Sequence, residues 1–380
     1  MRRRRTLTVT RSFAERRLRH RVYGILSLLL LLGGCASDPS PQIGEVSPNP
    51  QSNTASPGAS APAQVISTEA WTLEGKTGQL ITTPHYRIFT TVEKQYILDR
   101  LPLFMEAALA NYTTSLEDLP APRQALETYL LATRPQWTRV TQRVMGDQAE
   151  VYLRIQRGGF AANGKAILYD IGPRDTFAIA AHEGWHQYSQ STFRTPLPTS
   201  LEEGLATYME GFRWLPGSGP TPAFLPWANL ERFEQLRQAS IEQRLQPLDE
   251  VLLSTPQELL KDNPDAALNY YAQVWALIHF LNEGEEGVYR GALRSMLADA
   301  ASGELIGKIR AKHGTRAASL YALRRSGVDL LELYTTRNAR ELDSGYQAFI
   351  ATAVRVGAKQ AIVQGRSPMP VAEPGQGNLR

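Results

Sequence analysis

His182-Glu183-Gly184-Trp185-His186 is the stretch on which the reading of this chain turns. In an α-helix, residues four apart stand one turn above each other on the same face. Two imidazoles so placed can both reach one metal ion, at about 2.0–2.1 Å. Glu183 projects beside them, where a carboxylate can take a proton from a metal-bound water. Zinc lowers the pKa of such a water towards ~7, which makes hydroxide available at neutral pH. The flanking Phe177, Ile179, Ala180 and Ala181 suit a buried helix over residues 174–190. The plain alternative is a pair of helix histidines that pack or hydrogen-bond without any ion.

A zinc site needs a third protein ligand, and a catalytic one leaves its fourth position to water. After a short loop with Pro196 and Pro198 comes Leu201-Glu202-Glu203-Gly204-Leu205-Ala206-Thr207-Tyr208-Met209-Glu210, a helical segment able to pack antiparallel to the first. It offers carboxylates at a suitable distance along the chain. Glu202 and Glu203 also fit a solvated acidic helix start favoured by the helix dipole, a role that suits Glu202 better.

His182-Glu183-x-x-His186 followed by Leu201-x-Glu203-Gly204-x-Ala206-x-Tyr208 resembles the gluzincin zinc metallopeptidases, in particular the M1-type aminopeptidases and the related bacterial peptidase-MA-like domains. The resemblance implies one Zn2+ held by His182, His186 and Glu203, with Glu183 as the catalytic base. It implies a tyrosine on a later helix that hydrogen-bonds the oxyanion. Tyr271-Ala272-Gln273-Val274-Trp275-Ala276-Leu277-Ile278-His279-Phe280-Leu281 carries that pattern, with Tyr270 as the competing choice for Tyr271. A phenol O–H is a suitable donor to such charge, and an aromatic helix face in the core is the alternative. His279 then reads as a core histidine, since three ligands are assigned.

The resemblance further implies an edge strand before the zinc helix that binds extended peptide through backbone hydrogen bonds. Gly158-Gly159-Phe160-Ala161-Ala162 stands there, with Gly159 and Phe160 as substrate-binding residues. A plain turn or bulge at the two glycines is the alternative. No glutamate lies in this stretch to grip a free amine, which departs from the aminopeptidase pattern, so an endopeptidase or a hydrolase of another amide fits equally well. The implied fold is α+β and zincin-like: a small mixed β-sheet subdomain with the active-site helix, then a mainly helical subdomain. The likeness covers about residues 84–355 in layout, and its specific motifs occupy only 182–210 and 271–281.

Outward from the motif, alternation predicts a strand over residues 86–92, and a helical period predicts a helix over 94–116. Further strands are expected over 126–132, 149–157 and 165–170, with a short helix over 134–145 opened by Pro135. Helices are expected over 200–213, 230–243, 256–261, 265–283, 286–301, 303–313, 316–335 and 339–356. A strand-rich first half followed by a helical second half is an α+β order. The catalytic domain is therefore expected over residues 65–358, with a flexible tail over 359–380 that is rich in Pro and Gly from Gly365.

The N-terminus carries a different message. Residues 1–34 hold nine arginines and one acid, followed within them by the apolar run 25–32. That run is far shorter than the ~20 residues of a membrane-spanning helix and reads as a secretory signal. It ends in Leu32-Gly33-Gly34-Cys35, which resembles a bacterial lipobox, and Cys35 is the one cysteine of the chain. A lipid on Cys35 would anchor the protein, and no thiol would be left for an internal disulfide. Residues 35–64, with six prolines among Ser, Asn, Gly and Ala, read as a disordered tether. By resemblance to Gram-negative lipoproteins, Ala36 in place of Asp implies an outer-membrane lipoprotein facing the periplasm.

Taking the leader's nine arginines and one acid from totals of 41 and 37 leaves 32 basic against 36 acidic residues, about −4. The basic balance thus belongs to the leader and gives no reason to expect a nucleic-acid partner. The expected function is zinc-dependent hydrolysis of a peptide or protein substrate in the cell envelope. The alternative is a non-catalytic zinc-binding lipoprotein that acts as an interaction or scaffold module.

Overall fold

Eight short strands, six of them in one sheet, and fifteen α-helices are found among the described residues of the computed structural model, 65–262 and 264–370. The expected leader, Cys35, the tether and the last ten residues lie outside the described residues. The chain opens with β1 (Ser67–Leu73), β2 (Lys76–Thr82) and β3 (Tyr86–Thr90), then α1 (Gln95–Leu98) and α2 (Leu101–Thr114). β4 (Leu126–Leu131), α3 (Arg134–Met145), α4 (Ala149–Leu153), β5 (Gly159–Ala162) and β6 (Lys165–Tyr169) complete the sheet region.

The sheet order is β1-β2-β3-β4-β6-β5. β1, β2 and β3 are antiparallel, β3, β4 and β6 run parallel, and β5 returns antiparallel to β6 at the sheet's edge. Successive strand residues face opposite sides, and β6 displays this plainly. Leu168 joins the large core under α2, whereas Ile167 joins a smaller core of Trp137, Tyr152 and Phe160. The Trp137 indole donates to the Ile167 carbonyl at 2.9 Å, which pins α3 to that second face.

The remainder is helical: α5 (Pro173–Thr192), α6 (Thr199–Met209), a small hairpin of β7 (Phe212–Arg213) and β8 (Ala223–Phe224), then α7 (Leu230–Ile241) and α8 (Leu248–Leu253). α9 (Pro256–Asp262), α10 (Pro264–Glu283), α11 (Arg290–Ser302), α12 (Leu305–Arg324), α13 (Val328–Thr335), α14 (Ala339–Ala353) and α15 (Ala358–Gln364) follow. One core runs from Ile81 and Ile88 on the sheet to Ile350 and Ile362 on the last helices, so the α+β halves share a single interior. Among the described residues no helix is long and apolar enough to cross a membrane.

Four expectations change. The strand expected over 149–157 is instead α4 followed by an irregular stretch. Its Val and Tyr residues have strand propensity, but Ala149 and Tyr152, three apart, are buried together while Val151 is exposed, which is helical spacing. The β1–β2 hairpin was not anticipated. The helix expected over 316–335 is two, because Arg325 adopts a positive φ of 53° and ends α12. The tail expected to be flexible from 359 instead continues as α15, with Ile362 buried and the Ser367 hydroxyl donating to Glu283 at 2.6 Å.

Candidate metal centre

Two helices bring the motif residues together. α5 opens with Pro173 in its first turn and crosses between the sheet and α6, with thirteen of the fourteen residues from Thr176 to Ser189 buried on all sides of the helix. Glycines let its neighbours approach. A Cβ on Gly184 would stand 2.6 Å from the Tyr112 hydroxyl, which donates to the Ala181 carbonyl at 2.7 Å. A Cβ on Gly204 would stand 2.7 Å from the Val274 carbonyl oxygen on α10. Only glycine permits α6 to lie this close to α10, and Glu203 is its immediate neighbour.

The donor atoms form a nearly equilateral triangle. His182 Nε2 and His186 Nε2 are 3.3 Å apart, and each lies 3.5 Å from Glu203 Oε2. Donors about 2.0–2.1 Å from a shared tetrahedral ion are separated by roughly 3.3–3.4 Å. The three residues therefore form a buried His-His-Glu group that could hold one metal ion.

The outer nitrogens explain the convergence. His182 Nδ1 bonds Glu210 Oε1 at 2.8 Å, and His186 Nδ1 bonds Glu202 Oε1 at 3.0 Å. A carboxylate at Nδ1 holds the proton there and turns the Nε2 lone pair inward, which also raises ligand basicity. Glu202 in turn accepts from Ser189 Oγ at 2.5 Å. Glu210 accepts from Arg232 Nε at 3.2 Å, Arg232 Nη2 at 3.0 Å and Asn229 Nδ2 at 2.8 Å. Glu202 is thus no solvated helix start: it is buried against His186.

Electrostatics follow this pairing. Burial resists charge on His186, yet Glu203 and Glu202 outweigh it and push the imidazole up to about 10. Burial opposes ionisation of Glu203 and Glu210, but His186 holds the first and Arg232 the second at about 2. Burial, with a smaller push from Glu203, outweighs the two imidazoles at Glu183, whose carboxyl is raised to about 7. The Ala161 N–H of β5 points at that carboxylate without closing a hydrogen bond.

Tyr271 and Tyr270 are both buried, with hydroxyls that lack a partner. Burial and the nearby Glu203 keep both phenols protonated. The Tyr271 ring lies 6.3 Å from the His182 ring, with the Arg232 guanidinium 5.2 Å above its face. Tyr270 instead joins a satellite cluster with Val251 and Val274. His279 is a core residue as expected, stacked on Trp227 at 3.7 Å and bonded to Glu283 at 3.1 Å.

The expected edge strand is present as β5, and its details correct one assignment. Tyr169 N–H bonds the Gly158 carbonyl at 3.0 Å, and Phe160 faces Ile167 across the ladder. In an antiparallel pair every second residue turns its N–H and C=O outward, here Gly159 and Ala161. Phe160 bonds inward to β6, and its side chain stacks on Tyr152 at 4.2 Å in the smaller core, so it offers an incoming chain nothing. Gly159 keeps an outward edge. Sequence reasoning missed Glu210, Asn229 and Arg232. Glu210 lies seven residues after Glu203, two helical turns on the same face, which could have revealed it. Nothing local marks Arg232.

His182, Glu183, His186 and Glu203 are each 0% exposed, so the centre is closed to solvent in this conformation. No protein-family model, no curated protein and no solved structure matches the chain.

Proposed function

We propose that this chain is a zinc-dependent metallopeptidase, tethered to the bacterial envelope through a lipid on Cys35. The observation that carries the reading is the donor triangle with edges of 3.3, 3.5 and 3.5 Å beside a buried carboxylate that bonds neither imidazole. Two imidazoles and one carboxylate are the donor set of catalytic zinc. His182, His186 and Glu203 would hold the ion. When bound, it supplies Lewis acidity, acidifying a water and polarising a carbonyl oxygen.

The chain's own groups supply the proton chemistry. Glu183 accepts the proton of the attacking water on a carboxylate oxygen and delivers it to the nitrogen of the leaving amine. One carboxyl group that is a base before the transfer and an acid after it serves both halves. The Tyr271 hydroxyl donates to the developing oxyanion. Arg232, through Glu210, and Ser189, through Glu202, orient the two imidazoles. Because the centre is closed, substrate entry requires its walls, α5–β5 on one side and α7–α10 on the other, to part.

Metal analysis of purified protein and a peptide-library digest test this reading. Glu183→Gln is expected to retain metal and lose hydrolysis, and undiminished hydrolysis in that variant rejects the mechanism. Complete burial favours a second reading, a zinc-binding lipoprotein in which the ion only ties α5 to α6, since structural sites are closed and catalytic ones keep an open position. Metal-loaded protein that is inert across the library selects that one.

A further inference from the structure

The outward edge of β5 is already partly occupied. Ala161 directs its N–H towards Glu183. Its carbonyl accepts the Gln190 side-chain N–H at 3.1 Å, and the oxygen of the same carboxamide accepts from the Gly164 N–H at 3.2 Å. A carbonyl can only accept and a backbone N–H can only donate, so the orientation of this amide is fixed by its partners. Gln190 therefore occupies the Ala161 carbonyl that the peptide group of an added strand would use, and ties it to the turn at Gly164.

Anchoring the hairpin to α5 does not require this. Gln187, one turn earlier, donates to the Gly164 carbonyl at 3.1 Å and the Glu127 carbonyl at 2.8 Å, and accepts from Thr128 at 3.0 Å. Exposure rises along the edge: Ala161 and Ala162 are buried, Gln190 is half-buried, and Asn163 and Ser191 are exposed. Gln190 thus stands at the solvent end of the edge strand, with Gly159 at the inner end.

We propose that Gln190 is a specificity-determining residue that caps β5 and limits how many residues of an extended peptide can pair beside the metal centre. The inference rests on the reading of that centre as a peptide site. Gly159, buried at the inner end, turns its N–H and C=O to the outer side of the ladder, whereas Ala161 has given its carbonyl to Gln190. A bound peptide gains backbone pairing near Gly159 and none as it passes towards Asn163, so extending it in that direction adds no affinity.

The test uses the full chain, zinc-loaded and in the Glu183→Gln background so that bound peptide persists. A ladder of fluorescent alanine-based peptides, from dipeptide to octapeptide, is titrated by anisotropy with Gln190 intact and with Gln190→Ala. Alanine preserves the helix. With Gln190, affinity is expected to stop improving after the first few residues. With Gln190→Ala, the longer peptides should tighten roughly three- to tenfold, the worth of one gained backbone hydrogen bond, while the shortest stay unchanged. Parallel length dependence in the two proteins overturns the proposal, and so does the absence of peptide binding in both. Digestion of the same ladder by protein with Glu183 intact separates the two readings. A length effect without hydrolysis sinks the peptidase and leaves the cap standing.

Discussion

Replacing Glu202 by glutamine removes one charge behind His186 and little else. The amide oxygen can still accept from His186 Nδ1, now 3.0 Å away, and from Ser189 Oγ at 2.5 Å. Glu202 is 1% exposed, so water screens its charge weakly. The carboxylate stands roughly 7 Å from the middle of the donor triangle, across one imidazole ring. A unit charge and a dication at that separation attract by about 5 kcal/mol at an effective dielectric near 20, which is a ceiling because the amide dipole retains part of it. Losses of 10–100-fold in metal affinity, about 1.4–2.7 kcal/mol, are usual for such orienting carboxylates. We expect Glu202→Gln to reach the upper part of that range. Competition with a chromophoric chelator at neutral pH measures it, and thermal unfolding of metal-free protein checks that the fold is intact. An affinity within about twofold of the parent would refute the reasoning, and Glu202 would then be a packing bond only.

Three further outcomes are expected. Gly204→Ala places a Cβ 2.7 Å from the Val274 carbonyl oxygen and 2.9 Å from Ile278 Cγ1, so α6 must lift off α10; denaturant titration should reveal a loss of about 1–3 kcal/mol, and an unshifted midpoint counts against the close-packing account. Burial holds the His279 pKa below its ordinary 6.5, against the pull of Glu283, so its neutral form is favoured in the folded state while the unfolded chain takes up the proton. Stability should therefore fall as pH drops below about 6.5, and urea titrations on either side of that value should find this slope flattened in His279→Phe. Tyr271→Phe should lower peptide hydrolysis by about 10–100-fold with metal content unchanged while Tyr270→Phe stays near the parent; the reverse pattern transfers the oxyanion role to Tyr270.

What the sequence made legible follows from how local each signal is. The helix bearing His182 and His186 was placed within two residues of its ends, because an apolar face and a proline start are local properties. Spacing within one helical hairpin left Glu202 and Glu203 both open, and only the gluzincin resemblance singled out Glu203, which the fold sets beside both imidazoles. The β1–β2 hairpin escaped because three consecutive residues of β1 are exposed, which erases the alternation, although Glu74 and Gly75 with φ of 50° and 82° form the turn that joins it. α4 escaped because strand formers there obey a helical burial pattern set by Trp137 and Phe160, residues of other elements. Arg232 lies 22 residues beyond Glu210 on a different helix, and only the fold brings the two within 3.0 Å. The burial of Phe160 likewise depends on the phase of the β5–β6 ladder, which its own neighbours do not set.

The charge around the centre argues for a cation independently of the triangle. Glu183, Glu202, Glu203 and Glu210 are all buried, and Arg232 is the one buried lysine or arginine among the described residues. Four carboxylates against one guanidinium leave an excess of three negative charges in a dry interior, where an unpaired charge costs several kcal/mol even after relaxation. Two responses are open to the chain. It can bind protons, and the raised values of His186 and Glu183 are that response, with the imidazole at about 10 and the carboxyl at about 7. Alternatively it can bind a dication, which balances two charges at once and lets both imidazoles be neutral ligands, leaving a single excess negative charge that Glu183 can carry as the free carboxylate the proposed proton transfer needs. The first response sets a charged His186 imidazole with its Nε2 only 3.3 Å from His182 Nε2, so a proton on the second ring would be a like-charge contact that burial makes worse. The second turns the same close approach into shared coordination, and the proton that His186 holds without an ion would leave as the metal enters.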